Sequence, residues 1–201
     1  MTSAMTRIIL LRSCATDFDD EGRIKGTLDI PLNAAGTEQA SQVAETLASE
    51  EISVIYFSPC QSAEETAHAV ADGLGLKAKM LKKLQNLDHG LWQGKLVDEL
   101  KEKQKKVYKQ LQDQPETVCP PEGEMVSDAQ VRVKAAIDKL IKRHRNQVVV
   151  IVAPEPLTSL LHSYLSQQEL GDLWESVCDC GSWLSIEVEP NQLASMVANQ
   201  A

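Results

Sequence analysis

Residues 8–16, Ile8-Ile9-Leu10-Leu11-Arg12-Ser13-Cys14-Ala15-Thr16, join a purely aliphatic run to a polar turn that opens on an arginine. A short apolar run bounded by polar residues reads as a strand buried on both faces. Val54 to Phe57 and the branched run Val148 to Val152 read the same way. Between these strands apolar residues recur at helical spacing: Ala40, Val43, Ala44 and Leu47, then Ala63, Ala67, Val70, Ala71 and Leu74, then Val133, Ala136, Ile137 and Leu140. Fully apolar strands alternating with amphipathic helices predict an α/β fold, a three-layer α/β/α sandwich on a mostly parallel central sheet. The strands at 7–11, 54–57 and 148–152 are expected side by side at its centre.

The 201 residues, 43% of them hydrophobic, suit one domain spanning residues 1–201. Residues 95–121 differ from the rest: a stripe of Val97, Leu100, Val107 and Leu111 is embedded in lysines and glutamates, and Pro115, Pro120, Pro121 and Gly123 follow. That pattern predicts a helical cap with a solvated lysine face, closed by a loop. A net charge of −9 repels nucleic acid and anionic membrane surfaces, so neither is expected as a partner. The apolar run at 8–11 is too short for a signal peptide or a membrane span, and a cytoplasmic protein is expected. Five cysteines without paired Cys-x-x-Cys spacing read as reduced thiols; Cys178 and Cys180 lack further ligands nearby, so neither a metal nor a cofactor is expected.

In open α/β sheets chemistry gathers beyond the carboxyl ends of the strands, which directs attention to the residues after Leu11, Phe57 and Val152. Arg12-Ser13-Cys14-Ala15-Thr16 is followed by Gly22-Arg23-Ile24-Lys25-Gly26, by Asp29-Ile30-Pro31-Leu32-Asn33, and by Gly36, Gln39 and Ala40. Downstream come Tyr56-Phe57-Ser58-Pro59 with Thr66-Ala67, then Leu84 to Gly94 with Gly90, Trp92 and Gly94, and Pro121-Glu122-Gly123-Glu124 ahead of Arg132. Together, in order and in register over roughly residues 7 to 188, these pieces resemble the signature of the histidine phosphatase superfamily, the phosphoglycerate-mutase-like enzymes. The resemblance implies the sandwich already expected and a phosphate site at the strand ends.

Departures from the family pattern fall at that site. Where the family carries its histidine nucleophile this chain has Ser13; where it carries a second phosphate-clamping arginine, Ser62; where it carries the acid glutamate, Asn86; and where it carries a second histidine, Pro154. Of the five groups that meet at the phosphate, Arg12 remains. Loss of a nucleophile from a site whose members act together costs on the order of a millionfold in rate. Glu155 beside Pro154, and Asp19 where relatives carry asparagine, make the pocket less cationic and predict poor phosphate affinity.

Replacement nucleophiles find little support in spacing. Cys14 lacks the Cys-x5-Arg arrangement, because Asp20 stands where the arginine would be, and it reads as a small packing thiol. His89, three residues after Asn86, reads as a surface or capping loop histidine, with a replacement acid or base as the other reading. His68, His144 and His162 read as surface or packing positions on helices, and Trp92, Trp174 and Trp183 as core or rim residues. The expectation is therefore a catalytically inactive member of the fold that binds a small molecule or a protein, with a homodimer possible. The alternative is a phosphatase or other hydrolase with repurposed residues. Arg12, Ser13, Cys14, Arg23, Ser62, Asn86, His89 and Glu155 are the candidate ligand-binding residues, and Arg12, Ser13, Ser62, Asn86 and Pro154 are expected to share one crevice.

Overall fold

A computed structural model describes residues 5–189. In chain order the elements are β1 (Thr6–Arg12), α1 (Asp17–Asp20), α2 (Ala34–Leu47), β2 (Ile52–Phe57), α3 (Gln61–Leu74), β3 (Ala78–Met80), α4 (Val97–Lys103), α5 (Lys105–Asp113), α6 (Val126–Arg143), β4 (Val148–Ala153), α7 (Leu157–Ser166) and β5 (Trp183–Val188). The strands form one sheet in the order β3-β2-β4-β1-β5. β3, β2, β4 and β1 run parallel, and β5 closes the far edge antiparallel to β1. As expected, the three apolar strands lie adjacent at the centre.

Strand alternation explains why those runs are apolar throughout. On one face Ile8, Leu10, Val54, Tyr56, Val149 and Ile151 pack against α6 and α7. On the other, Ile9, Leu11, Ile55, Phe57, Val150 and Val152 pack against α2 and α3. Successive side chains point to opposite faces, so a strand covered on both sides has no polar position to spare. A third cluster, with Trp92, Leu100, Leu111, Val118 and Val126, forms the core beneath the cap helices α4 and α5.

Three features of the fold were not expected. β3 has only three residues, Ala78-Lys79-Met80, two of them exposed, and lacks the apolar density of a central strand. In β5 the sequence Trp183-Leu184-Ser185-Ile186-Glu187-Val188 alternates, as suits an antiparallel edge strand with one face toward solvent. The cap stripe is not one helix: Gln104, at φ −132° and ψ 51°, breaks it into α4 and α5. Among the described residues no helix is long and apolar enough to cross a membrane.

Candidate active site

Register places the ends of β1, β2 and β4 at one level, with Arg12 opposite Ala153 and Phe57 opposite Val152. Backbone bonds carry the order past the strands: Ser13 N donates to the Ala153 carbonyl at 2.8 Å, and Ser58 N to the Val152 carbonyl at 2.9 Å. Arg12, Ser13, Ser58 and Pro154 therefore emerge along one edge, as the rule for open α/β sheets requires.

Arg12 is 11% exposed and uses only part of its guanidinium. Nη1 donates to the Cys178 carbonyl at 2.8 Å and Nη2 to Asp19 Oδ1 at 3.1 Å. Nε, buried, has no hydrogen-bond partner among the described residues, and neither has Ser13 Oγ, on a residue 1% exposed. Asp19 is the hub of this cluster. It accepts from Lys25 Nζ at 2.8 Å on both oxygens, from Thr16 N at 2.9 Å and from Thr16 Oγ1 at 2.7 Å. Burial opposes ionisation of Asp19, but the charge and hydrogen bonds of Lys25, with those of Thr16, outweigh it and hold the carboxyl below its ordinary range. Thr16 and Asp19 also form the capping box of α1, so local helix chemistry fixes Asp19 in place.

Asn86 ties the opposite wall together. Its Nδ2 donates to the Gly26 carbonyl at 2.8 Å and the Glu155 carbonyl at 2.9 Å, and its Oδ1 accepts from Leu157 N at 3.2 Å. Glu155 Oε2 accepts from Ser159 Oγ at 2.8 Å and Ser159 N at 3.2 Å, while Oε1 accepts from Val177 N at 3.3 Å. Burial raises the Glu155 carboxyl above its ordinary pKa, with the Ser159 bonds and the Arg12 charge acting against the rise. Ser62, 3% exposed, lies near the start of α3, and its carbonyl accepts from Thr66 Oγ1, which in turn accepts from Cys14 N at 3.0 Å. Ser13, Ser62, Asn86 and Pro154 thus line or brace the strand-end region with Arg12.

The remaining candidates differ in burial and partners. Cys14 is fully buried, and burial pushes its thiol up to about 11, which suits the packing role and leaves no thiolate near neutral pH. Arg23 Nε donates to Glu21 and Nη1 to the Gly94 carbonyl at 2.8 Å, and the guanidinium lies over the Phe18 ring, so much of this side chain is held by its own loop. His89 is not a surface group. It is 4% exposed and stacks on Trp174 with ring centroids 6.5 Å apart, and burial lowers its imidazole to about 4. Lys25, 7% exposed, was not among the candidates; a lysine inside a glycine-bounded loop looks solvated until Asp19 is seen beneath it.

His89 should make stability depend on pH. Its folded pKa of about 4 lies below the ordinary 6.5, so the unfolded chain binds the extra proton and stability falls as pH drops through that window. Between pH 7 and pH 4 the loss from this group is roughly 3 kcal/mol. Urea denaturation should show the slope in the wild type and its removal in His89→Phe, which keeps the ring stack. An equal slope in both proteins would rule this origin out.

Comparison with known proteins completes the picture. The family profile described as "Histidine phosphatase superfamily (branch 1)" matches residues 8–200. Phosphoserine phosphatase 1 of Hydrogenobacter thermophilus is 31% identical over 185 residues, covering 92% of this chain and 88% of that protein. A probable phosphoglycerate mutase, GpmB of Enterobacter sp. strain 638, is 33% identical over 138 residues, covering 69% of this chain and 64% of its own length. The structure of Bacillus stearothermophilus YhfR superimposes with a TM-score of 0.81 at 28% identity, covering 92% of each chain.

These relatives overturn the expectation of a catalytically inactive binding module, because a protein named as a phosphatase aligns along nine-tenths of the chain. The physical reason for the miss lies in the same crevice. Lys25 adds a second buried cation beside Arg12 that the lost histidines and arginines do not reveal, and burial raises the Glu155 carboxyl above its ordinary pKa. With its profile matched almost end to end, its strand order in place, and relatives aligned along most of its length, this chain belongs to the histidine phosphatase superfamily, branch 1.

Proposed function

We propose that the chain is a phosphomonoester hydrolase working with a substituted set of crevice residues. The observation that carries this reading is the pair of buried donors, Arg12 Nε and Ser13 Oγ, that have no partner among the described residues and lie at the carboxyl ends of the central strands. Buried polar groups are nearly always satisfied, and a phosphoryl oxygen supplies the acceptor both of them need. Arg12 and Lys25 both pair with Asp19, which places two buried cations around one carboxylate at this end of the sheet, and burial raises the Glu155 carboxyl above its ordinary pKa.

With no imidazole at position 13, the reaction proceeds without a phosphohistidine. Phosphoryl transfer runs through a loose transition state in which catalysis is mostly positioning and electrostatics, so a water molecule can serve as nucleophile. Arg12 and Lys25 offset the charge on the equatorial oxygens. The water oxygen bonds to phosphorus as the ester P–O bond breaks, Glu155 gives its proton to the departing alkoxide, and the proton released from the water restores Glu155. Phosphoserine, named for the Hydrogenobacter thermophilus relative, is the first substrate to assay.

The test is the pH–rate profile. A proton donor acts while protonated, so kcat should fall as pH rises through the Glu155 pKa, which burial places above the ordinary 4.5. Glu155→Gln should lower kcat on the order of a hundredfold and flatten that limb. A Glu155→Gln enzyme with wild-type kcat and profile would remove Glu155 from the mechanism.

A further inference from the structure

Around α6 and the turn Lys82–Leu84 the chain collects a basic face that its composition conceals. The protein carries a net charge of −9, yet residues 77–83 and 139–145 each hold four Lys or Arg and no Asp or Glu. These two spans, distant in sequence, are brought together where α6 packs on the turn Lys82–Leu84. Between them lies a cavity of about 210 Å³. Leu81, Ala136, Leu140 and the Tyr56 ring supply its apolar surface, and Lys83, Lys139 and Arg143 stand around it. Those three cations form no ion pair among the described residues.

We infer that this face docks an acidic peptide segment of a partner protein, with one apolar side chain of that segment seated in the cavity. Two observations select this occupant. The positive charge extends well beyond the cavity on both spans, which suits an extended polyanion and exceeds what a single small anion would engage. The apolar floor asks for a hydrocarbon anchor, which a phosphate backbone does not present and an acidic peptide containing Phe or Leu does. A volume of this size accepts a ring-sized group, since a cavity of ~150 Å³ holds benzene. Charges on the rim then set the encounter rate and orientation, and the anchored side chain sets the lifetime of the complex.

The experiment uses the full chain and a fluorescein-labelled oligoglutamate peptide with one central phenylalanine, followed by fluorescence anisotropy at low salt. Binding is expected to weaken about tenfold or more in the double variant Lys139→Glu/Arg143→Glu and on replacing the phenylalanine by serine. It should fall steeply with added salt. Circular dichroism and unchanged phosphatase activity of the double variant show that it still folds, because neither residue touches the crevice. Arg12→Ala should leave the peptide affinity unchanged, which separates this face from the site proposed for hydrolysis. Absence of peptide binding, binding indifferent to the charge reversals or to the phenylalanine, or tighter binding of a single-stranded oligonucleotide than of the peptide would each overturn the inference.

Discussion

Asp19→Ala should be the most damaging single substitution in the crevice, costing about 3–5 kcal/mol, because it leaves Arg12 and Lys25 buried without a counterion. Desolvating two cations is tolerable here only while the carboxylate between them is ionised, and Thr16 would lose its partner in the capping box as well. The double variant Asp19→Ala/Lys25→Met removes one orphaned cation and should recover part of the loss. Orthophosphate should raise the melting temperature of Asp19→Ala more than that of the wild type, since an anion then takes the place of the carboxylate between the two cations. The wild type adds a check of sign. A carboxyl held below its ordinary pKa stabilises the fold fully above the unfolded value, and that contribution is lost as pH falls through the lowered one. Acid denaturation should therefore be shallower in Asp19→Ala. Equal stability of Asp19→Ala and wild type at neutral pH would contradict the buried pairing.

Gly90→Ala should lower stability by about 2–4 kcal/mol through a different cause. Gly90 sits at φ +47°, and a Cβ there would lie 2.1 Å from the Pro121 carbonyl oxygen and 2.6 Å from Glu122 C and Gly123 N. All three obstacles are backbone, so no side chain can swing aside. The same two loops are joined by Leu91 N donating to the Pro121 carbonyl at 2.9 Å and Glu124 N to the Asp88 carbonyl at 3.0 Å, so the clash would pry apart the wall that carries Asn86 and His89. For a chain of this size the melting temperature should drop on the order of 10 °C. A melting temperature within a degree or two of the wild type would show that the loops can part at little cost.

What the sequence disclosed and what it hid divide along a physical line. β1, β2 and β4 were legible because a strand covered on both faces must be apolar at every position, and that signal is local. Arg12, Ser13 and Pro154 were legible because they follow those strands directly. Lys25 was not, because its burial depends on Asp19 being folded beneath it by the α1 capping box, a contact between loop residues that no periodicity announces. His89 looked solvated because its cover, Trp174, comes from a distant part of the chain. The contacts of Arg23 with Glu21 and the Gly94 carbonyl were hidden in the same way, because the loop's own fold places them. The functional expectation failed for a related reason: a list of missing residue types records losses, whereas charge balance depends on which groups are buried together and which protonation state burial favours.

The central claim is that this crevice hydrolyses phosphomonoesters through Arg12. The most direct measurement is release of inorganic phosphate from phosphoserine and p-nitrophenyl phosphate by the purified chain, with Arg12→Ala purified in parallel as the control for contaminating phosphatase. The account predicts steady release by the wild type and a loss on the order of a hundredfold or more in Arg12→Ala, as removal of a transition-state charge contact requires. Equal release by the two proteins, or none from either, would contradict it.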